Sequence, residues 1–165
     1  MQDPRQHDFL EKVRSHKGII LKVIHLYADG QHDRDDLYQE ILFQAWKAFA
    51  GFKGRSKFST WLYKVSLNTA LTYRRKEFRR GDQREVFETD VVEHSEPKEQ
   101  AKQQLLWAIK QLGEVDRMII LLHLEGYGND EVAQMTGLTK NNVGVKLHRI
   151  KERLTKIIRK EEEWT

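Results

Sequence analysis

The chain has 165 residues, a formal net charge of +4 and no cysteine. Its length fits one domain or two small ones, which suits a helical bundle and is small for most enzyme clefts. The absence of cysteine excludes disulfides and thiolate metal sites. The N-terminus MQDPRQHDFLEK lacks the apolar core of a signal peptide, and no run approaches the roughly 18 apolar residues of a membrane span. We therefore expect a cytoplasmic protein without stable membrane insertion.

The first part of the chain predicts amphipathic helices. Only two prolines are present, Leu, Lys, Glu, Gln and Arg abound, and the pattern favours an all-α protein. A helix or helix pair is predicted from Phe9 to about Asp29, ending at Gly30. The next helix covers HDRDDLYQEILFQAWKAF, which Asp33 can cap. Phe43 falls outside the broad apolar arc of this helix and lies among charged and polar residues. It is either an isolated exposed ring or the anchor of a protein–protein interface.

Residues 52–80 concentrate positive charge. They hold nine Lys or Arg residues against one acid, a net of +8, with six aromatic residues among them. A short loop at 52–58 precedes a long helix predicted from about Ser59 through Arg80. Cations neutralise phosphates and aromatic faces stack on unpaired bases, so this segment favours single-stranded nucleic acid. The alternative is a helix with a basic solvent face and ordinary aromatic core residues.

The composition changes after this segment. Residues 81–100 carry a net charge of −5 and show no hydrophobic periodicity, which predicts a flexible acidic linker between domains at 1–80 and 101–165. In the second domain, GNDEVAQMTGLTKNNVGVKLHRIKERLTKII predicts two helices joined by a glycine-containing turn. Apolar residues spaced 4, 3, 4 and 3 apart at 143–157 form one stripe of the second helix. A helix-turn-helix explains this pattern and its basic residues, and an ordinary helical hairpin is the alternative.

Three segments in this order resemble the extracytoplasmic-function (ECF) subfamily of sigma-70-type bacterial sigma factors, the promoter-recognition subunits of RNA polymerase. The segment DRDDLYQEILFQAWKAF is similar to the family's D-x-x-D-L-x-Q-[ED]-x-[FL]-x-[RK]-[AV]-[WY] helix. FKGRSKFSTWLYKVSLNTALTYRRK is similar to its F-x-G-x-x-x-F-x-T-W-L segment, and LEGYGNDEVAQMTGLTKNNVGVKLHRIKERL to its region 4 helix-turn-helix. The resemblance covers nearly the whole chain. It implies a non-enzymatic transcription initiation factor without cofactor or metal, with region 2 at 1–80 and region 4 at 101–165.

The resemblance also implies three sets of contacts. The first helix of the match docks on the clamp coiled coil of the polymerase β′ subunit, and the residues expected there are Asp36, Leu37, Gln39, Glu40, Phe43 and Lys47. The loop takes a flipped-out nontemplate base of the −10 promoter element, and the following helix lies along the melted strand. The expected −10 contacts are Lys53, Arg55, Ser56, Lys57, Phe58, Thr60, Trp61, Tyr63, Lys64, Asn68, Arg74 and Arg75.

The C-terminal domain is implied to bind the β flap and to read the −35 promoter element. The expected −35 contacts are Lys140, Asn141, Asn142, Gly144, Val145, Lys146, His148 and Arg149. Helical spacing places the base-reading face opposite Val143. A glycine in mid-helix at 144 predicts close approach of the backbone to DNA or to the neighbouring helix. Promoter DNA and core RNA polymerase are the expected partners, and the resemblance leaves open an anti-sigma factor.

The chain departs from the family pattern at several positions. Gln44 stands where the polymerase-binding helix usually has Arg or Lys, and Gly128 where Ser or Thr often caps the first helix of the motif. In the recognition helix, Asn141-Asn142 replaces a frequent Gly-Thr, and Gly144-Val145 replaces a basic residue followed by Ser. These departures leave the family assignment intact and the promoter sequence undetermined.

Two other functions are compatible with parts of the sequence. A stand-alone helix-turn-helix regulator would bind duplex DNA without polymerase, and it does not explain the basic, aromatic segment. A metal-dependent phosphohydrolase would need ligands that converge on one point. The side chains that could suggest it are His25, His32, Asp33, Asp35, Asp36 and Glu40.

Overall fold

A computed structural model describes residues 3–79 and 96–164. Within those ranges the chain forms eight α-helices and no strand. They are α1 (Pro4–Ser15), α2 (Lys17–Tyr27), α3 (Gln31–Phe49), α4 (Phe58–Arg79), α5 (Pro97–Lys110), α6 (Glu114–Leu124), α7 (Asn129–Thr136) and α8 (Lys140–Trp164). The described helices fall into two compact units, α1 to α4 and α5 to α8. The prediction of an all-α protein with two helical domains is confirmed.

The first unit is built around α4, which packs against α2 and α3. The predicted helix or helix pair at 9–29 is a pair, and the break between the two helices falls at His16. Asp3 caps the first of these helices, because its Oδ1 accepts a hydrogen bond from the N–H of Arg5 at 3.0 Å. Tyr27 is fully buried among the apolar residues of this unit.

The N-cap of α3 differs from the prediction, whereas its C-terminal end at Phe49 agrees with it. Gly30, at φ +79°, is the N-cap residue, and Asp33 lies inside the first turn, where its charge suits the helix dipole. The cap is a glycine because few other residues adopt this backbone conformation. The broad apolar arc predicted for this helix included Ala48 and Phe52, but Ala48 is exposed and Phe52 lies beyond the end of the helix. The apolar face of α3 is therefore narrower than the sequence indicated.

In the second unit, α8 packs against α5, α6 and α7. The predicted stripe of α8 is confirmed for Val143, Leu147, Ile150 and Leu154, which are buried, while its last member, Ile157, is half-buried. Arg117 fixes the turn between α5 and α6: its Nη2 donates to the carbonyl of Lys110 at 2.7 Å and its Nε to that of Leu112 at 2.9 Å. The recognition helix thus rests on a packed three-helix base.

The predicted linker ends earlier than residue 100. Helix α5 begins at Pro97, so residues 97–100 are helical rather than part of a flexible segment. Proline is favoured at the first position of a helix, and Glu99 places negative charge in the first turn. The remainder of the linker prediction, residues 81–95, lies outside the described residues.

Candidate polymerase and nucleic-acid interfaces

The polar side of α3 carries the predicted polymerase-binding surface. Phe43 is 55% exposed, and its ring lies 5.3 Å from the Nζ of Lys47, a cation–π distance. About two turns towards the N-terminus, Asp36 is exposed, with its Oδ2 3.5 Å from the Nε2 of His32. Gln39 is also exposed. An aromatic ring therefore stands in a polar, charged surface, the arrangement typical of an interface anchor.

Two residues near this surface behave differently from the expectation. Leu37 was expected to contact polymerase, but it is fully buried and belongs to the core. Its position follows from the 3.6-residue period, which puts it in line with the buried Ile41. Glu40 is half-buried, and its Oε1 accepts a hydrogen bond from Gln44 Nε2 at 3.0 Å. Gln44, where the family usually has a cation, thus holds the carboxylate of its own helix.

The loop between α3 and α4 presents its cations to solvent. Lys53, Arg55, Ser56 and Lys57 are all exposed. Gly54 has φ +70°, a left-handed conformation that favours glycine and turns the chain back towards α4. Three positive charges within five residues therefore stand on a tight, exposed loop.

A cluster of aromatic rings packs between the two ends of this loop and the core of the first unit. The rings of Phe52, Phe58 and Trp61 lie pairwise with centroids 5.3 to 5.7 Å apart. Phe49 contacts all three at 6.1 to 6.5 Å, and Phe9 of α1 reaches Phe49 at 5.2 Å. Such pairs stabilise the fold beyond the area they bury. The ends of the loop are consequently pinned to the core of the first unit.

This cluster changes the role predicted for the aromatic residues. Phe58 and Trp61 are half-buried, so only part of each ring is open to a ligand. Tyr63 was expected to contact −10 DNA, but it is 3% exposed and is a core residue. Phe78, which was not singled out as a contact, is 71% exposed near the end of α4. Composition showed the density of rings in this segment but not the direction in which each one points.

The outer side of α4 carries the remaining predicted −10 residues. Lys64, Asn68 and Arg75 are exposed, while Thr60 and Arg74 are half-buried. Between α3 and α4 runs a polar groove of about 420 Å³, to which α3 contributes Glu40 and Gln44. The lining residues from α4 are Asn68, Thr69, Thr72, Tyr73, Lys76 and Glu77. The packing of α3 on α4 thus brings residues of the two predicted surfaces to one groove.

The helix-turn-helix is formed by α7 and α8. Gly137 ends α7 in the left-handed conformation at φ +78°, and its N–H donates to the carbonyl of Ala133 at 2.9 Å. Thr139 caps α8, since its Oγ1 accepts a hydrogen bond from the N–H of Asn142 at 3.1 Å. The Nζ of Lys140 lies 3.2 Å from Asp130 Oδ1, joining the N-terminal turns of the two helices. The predicted glycine turn is confirmed.

The face of α8 opposite Val143 is open to solvent, as its spacing predicts. The residues predicted for this face, Asn141, Val145, His148, Arg149 and Glu152, are all exposed. Of the other predicted −35 residues, Lys140 and Asn142 are exposed, and Gly144 and Lys146 are half-buried. His148 Nε2 lies 3.4 Å from Glu152 Oε1. The face also borders a depression of about 840 Å³ that Asn129 of α7 helps to line. The sequence did not indicate Asn129, although the glycine at 144 marks the place where it approaches.

The described residues contain no helix long and apolar enough to cross a bilayer. In residues 3–79 and 96–164, no three His, Asp or Glu side chains gather closely enough to hold a metal ion.

Two family models match the chain, one in each helical unit. The model described as Sigma-70 region 2 matches residues 13–80, and the model described as Sigma-70, region 4 matches residues 102–154. The first match contains α3, the loop and α4, and the second contains α7 and most of α8.

Curated relatives support the same assignment. The ECF RNA polymerase sigma-E factor of Escherichia coli K12 is 31% identical over 135 residues, covering 73% of this chain and 71% of that protein. The RNA polymerase sigma-H factor of Pseudomonas aeruginosa is 27% identical and covers 94% and 88%. The ECF sigma factor SigG of Mycobacterium tuberculosis is 39% identical over 70 residues, but this chain spans only 19% of its length.

Solved structures show the same fold. The sigma factor RpoE of Bartonella quintana, solved in complex with the anti-sigma factor NepR, superposes with a TM-score of 0.72. That match has 22% identity and covers 92% of this chain and 97% of that one. CnrH, solved with the cytosolic domain of CnrY, gives a TM-score of 0.64 at 22% identity, covering 93% and 88%. The chain belongs to the ECF RNA polymerase sigma factors.

Proposed function

We propose that this chain is an initiation factor that directs core RNA polymerase to specific promoters by opening the −10 element and reading the −35 element. One observation carries the proposal: region 2 and region 4 occur in order on two separate helical units, each with an exposed candidate surface. A stand-alone regulator would need only the helix-turn-helix and would leave the matched region 2 without a role. The proposed role is one of binding and melting, with no catalytic residue and no cofactor, in the cytoplasm beside the polymerase.

The proposed polymerase contact is the polar side of α3. Phe43 would insert into the clamp coiled coil of β′, flanked by Asp36, Gln39, Glu40 and Lys47. An exposed ring next to a lysine and near carboxylates supports this role, because burial of the ring supplies affinity while the charges fix orientation. Leu37 acts indirectly, as a core residue beneath the surface.

The proposed −10 site is the loop Lys53–Phe58 with the exposed side of α4. The loop cations would hold the sugar-phosphate backbone around a flipped base, and Lys64, Asn68 and Arg75 would follow the melted strand. The ring cluster supports this role because it fixes both ends of the loop before DNA arrives. A preordered loop loses less conformational entropy on binding than a mobile one.

The proposed −35 site is the exposed face of α8. Arg149 can pair with guanine, Asn141 with adenine, and Val145 can contact a thymine methyl group. Val145 is 42% exposed, and Asn141 and Arg149 are exposed on the same face. The second unit is also proposed to contact the β flap.

An anti-sigma factor is a further proposed partner. The sigma factor RpoE of Bartonella quintana, which shares this fold, was solved in complex with an anti-sigma factor. Such a partner would keep the chain from polymerase until it is released.

In vitro transcription tests the proposal. The purified chain is added to core RNA polymerase and fragmented genomic DNA, and the 5′ ends of the transcripts are mapped. We expect starts that core polymerase alone does not use, preceded by a shared pair of −10 and −35 sequences. A chain that binds core polymerase yet yields the same starts as core alone would refute it.

A further inference from the structure

Asn129 lies beside the face of α8 that is proposed to read bases. It is the first residue of α7, and it lines the depression of about 840 Å³ described above. The other residues lining that depression all belong to α8: Lys140, Asn141, Gly144, Val145, His148 and Arg149. A residue from the first helix of the motif therefore shares a concave surface with the proposed base-reading residues.

Gly144 determines how open this position is. A Cβ atom built at 144 would lie 3.6 Å from the Nδ2 of Asn129, an ordinary van der Waals distance. A methyl group is therefore tolerated, so packing against the neighbouring helix does not by itself require glycine. A longer side chain would extend over the carboxamide and separate it from any ligand on this face. What the glycine provides is access to Asn129.

The relation between Asn129 and α8 is held in place by neighbouring contacts. The adjacent Asp130 pairs with Lys140 at 3.2 Å, which ties the first turn of α7 to the first turn of α8. At the other end of α7, the Gly137 turn fixes the connection between the helices. The carboxamide thus approaches the recognition helix from a defined position.

We propose that Asn129 is a further base-reading residue of the −35 site and that Gly144 keeps its carboxamide open to the DNA. The inference rests on the proposed function. A carboxamide offers both a donor and an acceptor, the combination that pairs with N6 and N7 of adenine in the major groove. A contact to the phosphate backbone is the competing outcome, because the first helix of such motifs crosses the backbone.

The test uses core polymerase reconstituted with the full chain on a promoter found by transcript mapping, with the −35 element randomised and the −10 element fixed. Asn129→Ala should reduce the preference for one base at one position by about 5- to 150-fold. Gly144→Met, which adds an unbranched side chain without hydrogen-bonding groups, should reduce the preference at the same position. Thr155→Met places the same side chain at an exposed, uncharged position of α8 outside the depression; it is the control and should retain the preference. Circular dichroism checks that each variant is folded.

Several results would overturn the inference. If Asn129→Ala weakens binding to all −35 sequences in proportion, the residue contacts phosphate rather than a base. If neither the affinity nor the base preference changes, Asn129 makes no contact with the −35 element. In Asn129→Ala/Gly144→Met, a further loss at that position would show that Gly144 acts independently of Asn129. A wild-type holoenzyme with no preference anywhere in the −35 element would refute the proposed function itself, which separates that failure from the failure of this inference.

Discussion

The rings of Phe52 and Trp61 lie with their centroids 5.3 Å apart, one at the start of the exposed loop and the other in the first turn of α4. Phe58 contacts both, at 5.7 and 5.3 Å. The two ends of the loop that carries Lys53, Arg55 and Lys57 are therefore held together by aromatic packing. Apolar contacts thus set the shape of the loop, and its three cations are exposed to solvent.

The first prediction concerns this packing. Phe52→Ala should destabilise the first unit by about 1 to 3 kcal/mol, because a half-buried ring and its aromatic contacts are lost. It should also lower promoter opening more than it lowers affinity for core polymerase, since the loop loses its support. Urea unfolding and open-complex assays measure the two effects. Phe52→Leu is the control and should recover most of the stability; full opening by Phe52→Ala would show that loop order is unimportant.

The second prediction concerns the polymerase contact. Phe43→Ala should weaken binding to core polymerase by about 2 kcal/mol or more, close to 30-fold, while the fold is retained because the ring is 55% exposed. Leu10→Ala removes a similarly exposed apolar side chain from α1, at 49%, and is the matched control. Fluorescence anisotropy of the labelled chain with core polymerase gives both affinities. Equal affinities for wild type and Phe43→Ala, with unchanged circular dichroism, would remove this surface from the account.

The third prediction concerns the basic end of α4. We consider the slope of the logarithm of the binding constant for the nontemplate strand against the logarithm of the salt concentration. Replacing Arg75 and Lys76 by Gln should make this slope shallower by about 1.4, because each phosphate contact with a single strand contributes roughly 0.7. Both residues are exposed. The control replaces Arg14 and Lys17, two exposed cations at the junction of α1 and α2, with the same loss of charge. Identical slopes for the two double variants would mean that net charge, rather than position on α4, governs binding.

The fourth prediction compares two cations of the recognition helix. Arg149→Ala should relax the preference at one −35 position, at a cost of about 1 to 3 kcal/mol if the contact is bidentate. Lys151→Ala, also exposed but aimed away from the proposed face, should weaken all sequences about equally. A randomised −35 library distinguishes these outcomes. A uniform loss for Arg149→Ala would mean that the base-reading face is rotated about the helix axis.

The fifth prediction concerns the stability of α8. Gly144→Ala should raise the free energy of unfolding by up to about 1 kcal/mol, because alanine is the better helix former and the added methyl group meets Asn129 at an ordinary contact distance. Thermal unfolding followed by circular dichroism measures this gain. A loss of stability would mean that the second unit has less room at position 144 than this structure shows.

Helical periodicity is local, and for that reason the sequence predicted the recognition helix well. The spacing of Val143, Leu147, Ile150 and Leu154 fixed both the buried stripe and the exposed face opposite it. Phe43 was placed correctly by the same argument. The 3.6-residue repeat requires no knowledge of partners far along the chain.

Features that depend on distant contacts were not predicted. The packing of Phe9 on Phe49 joins rings 40 positions apart, and nothing in either segment indicates it. Tyr63 lies in a segment rich in cations, and that composition suggested an exposed, DNA-contacting residue. The residue is instead buried in the core. The position of Asn129 beside Gly144 likewise depends on how α7 crosses α8.

Strand opening at a promoter tests the central claim most directly. Permanganate reacts with unpaired thymines, so it reports melting of the −10 element at a promoter found by transcript mapping. We expect reactive nontemplate thymines with core polymerase plus the wild-type chain and none with core polymerase alone. A loop variant with Lys53, Arg55 and Lys57 changed to Gln should open the promoter less and alter the preferred −10 base. Equal reactivity with and without the chain would contradict the account, and equal opening by wild type and the loop variant would contradict the assignment of the loop.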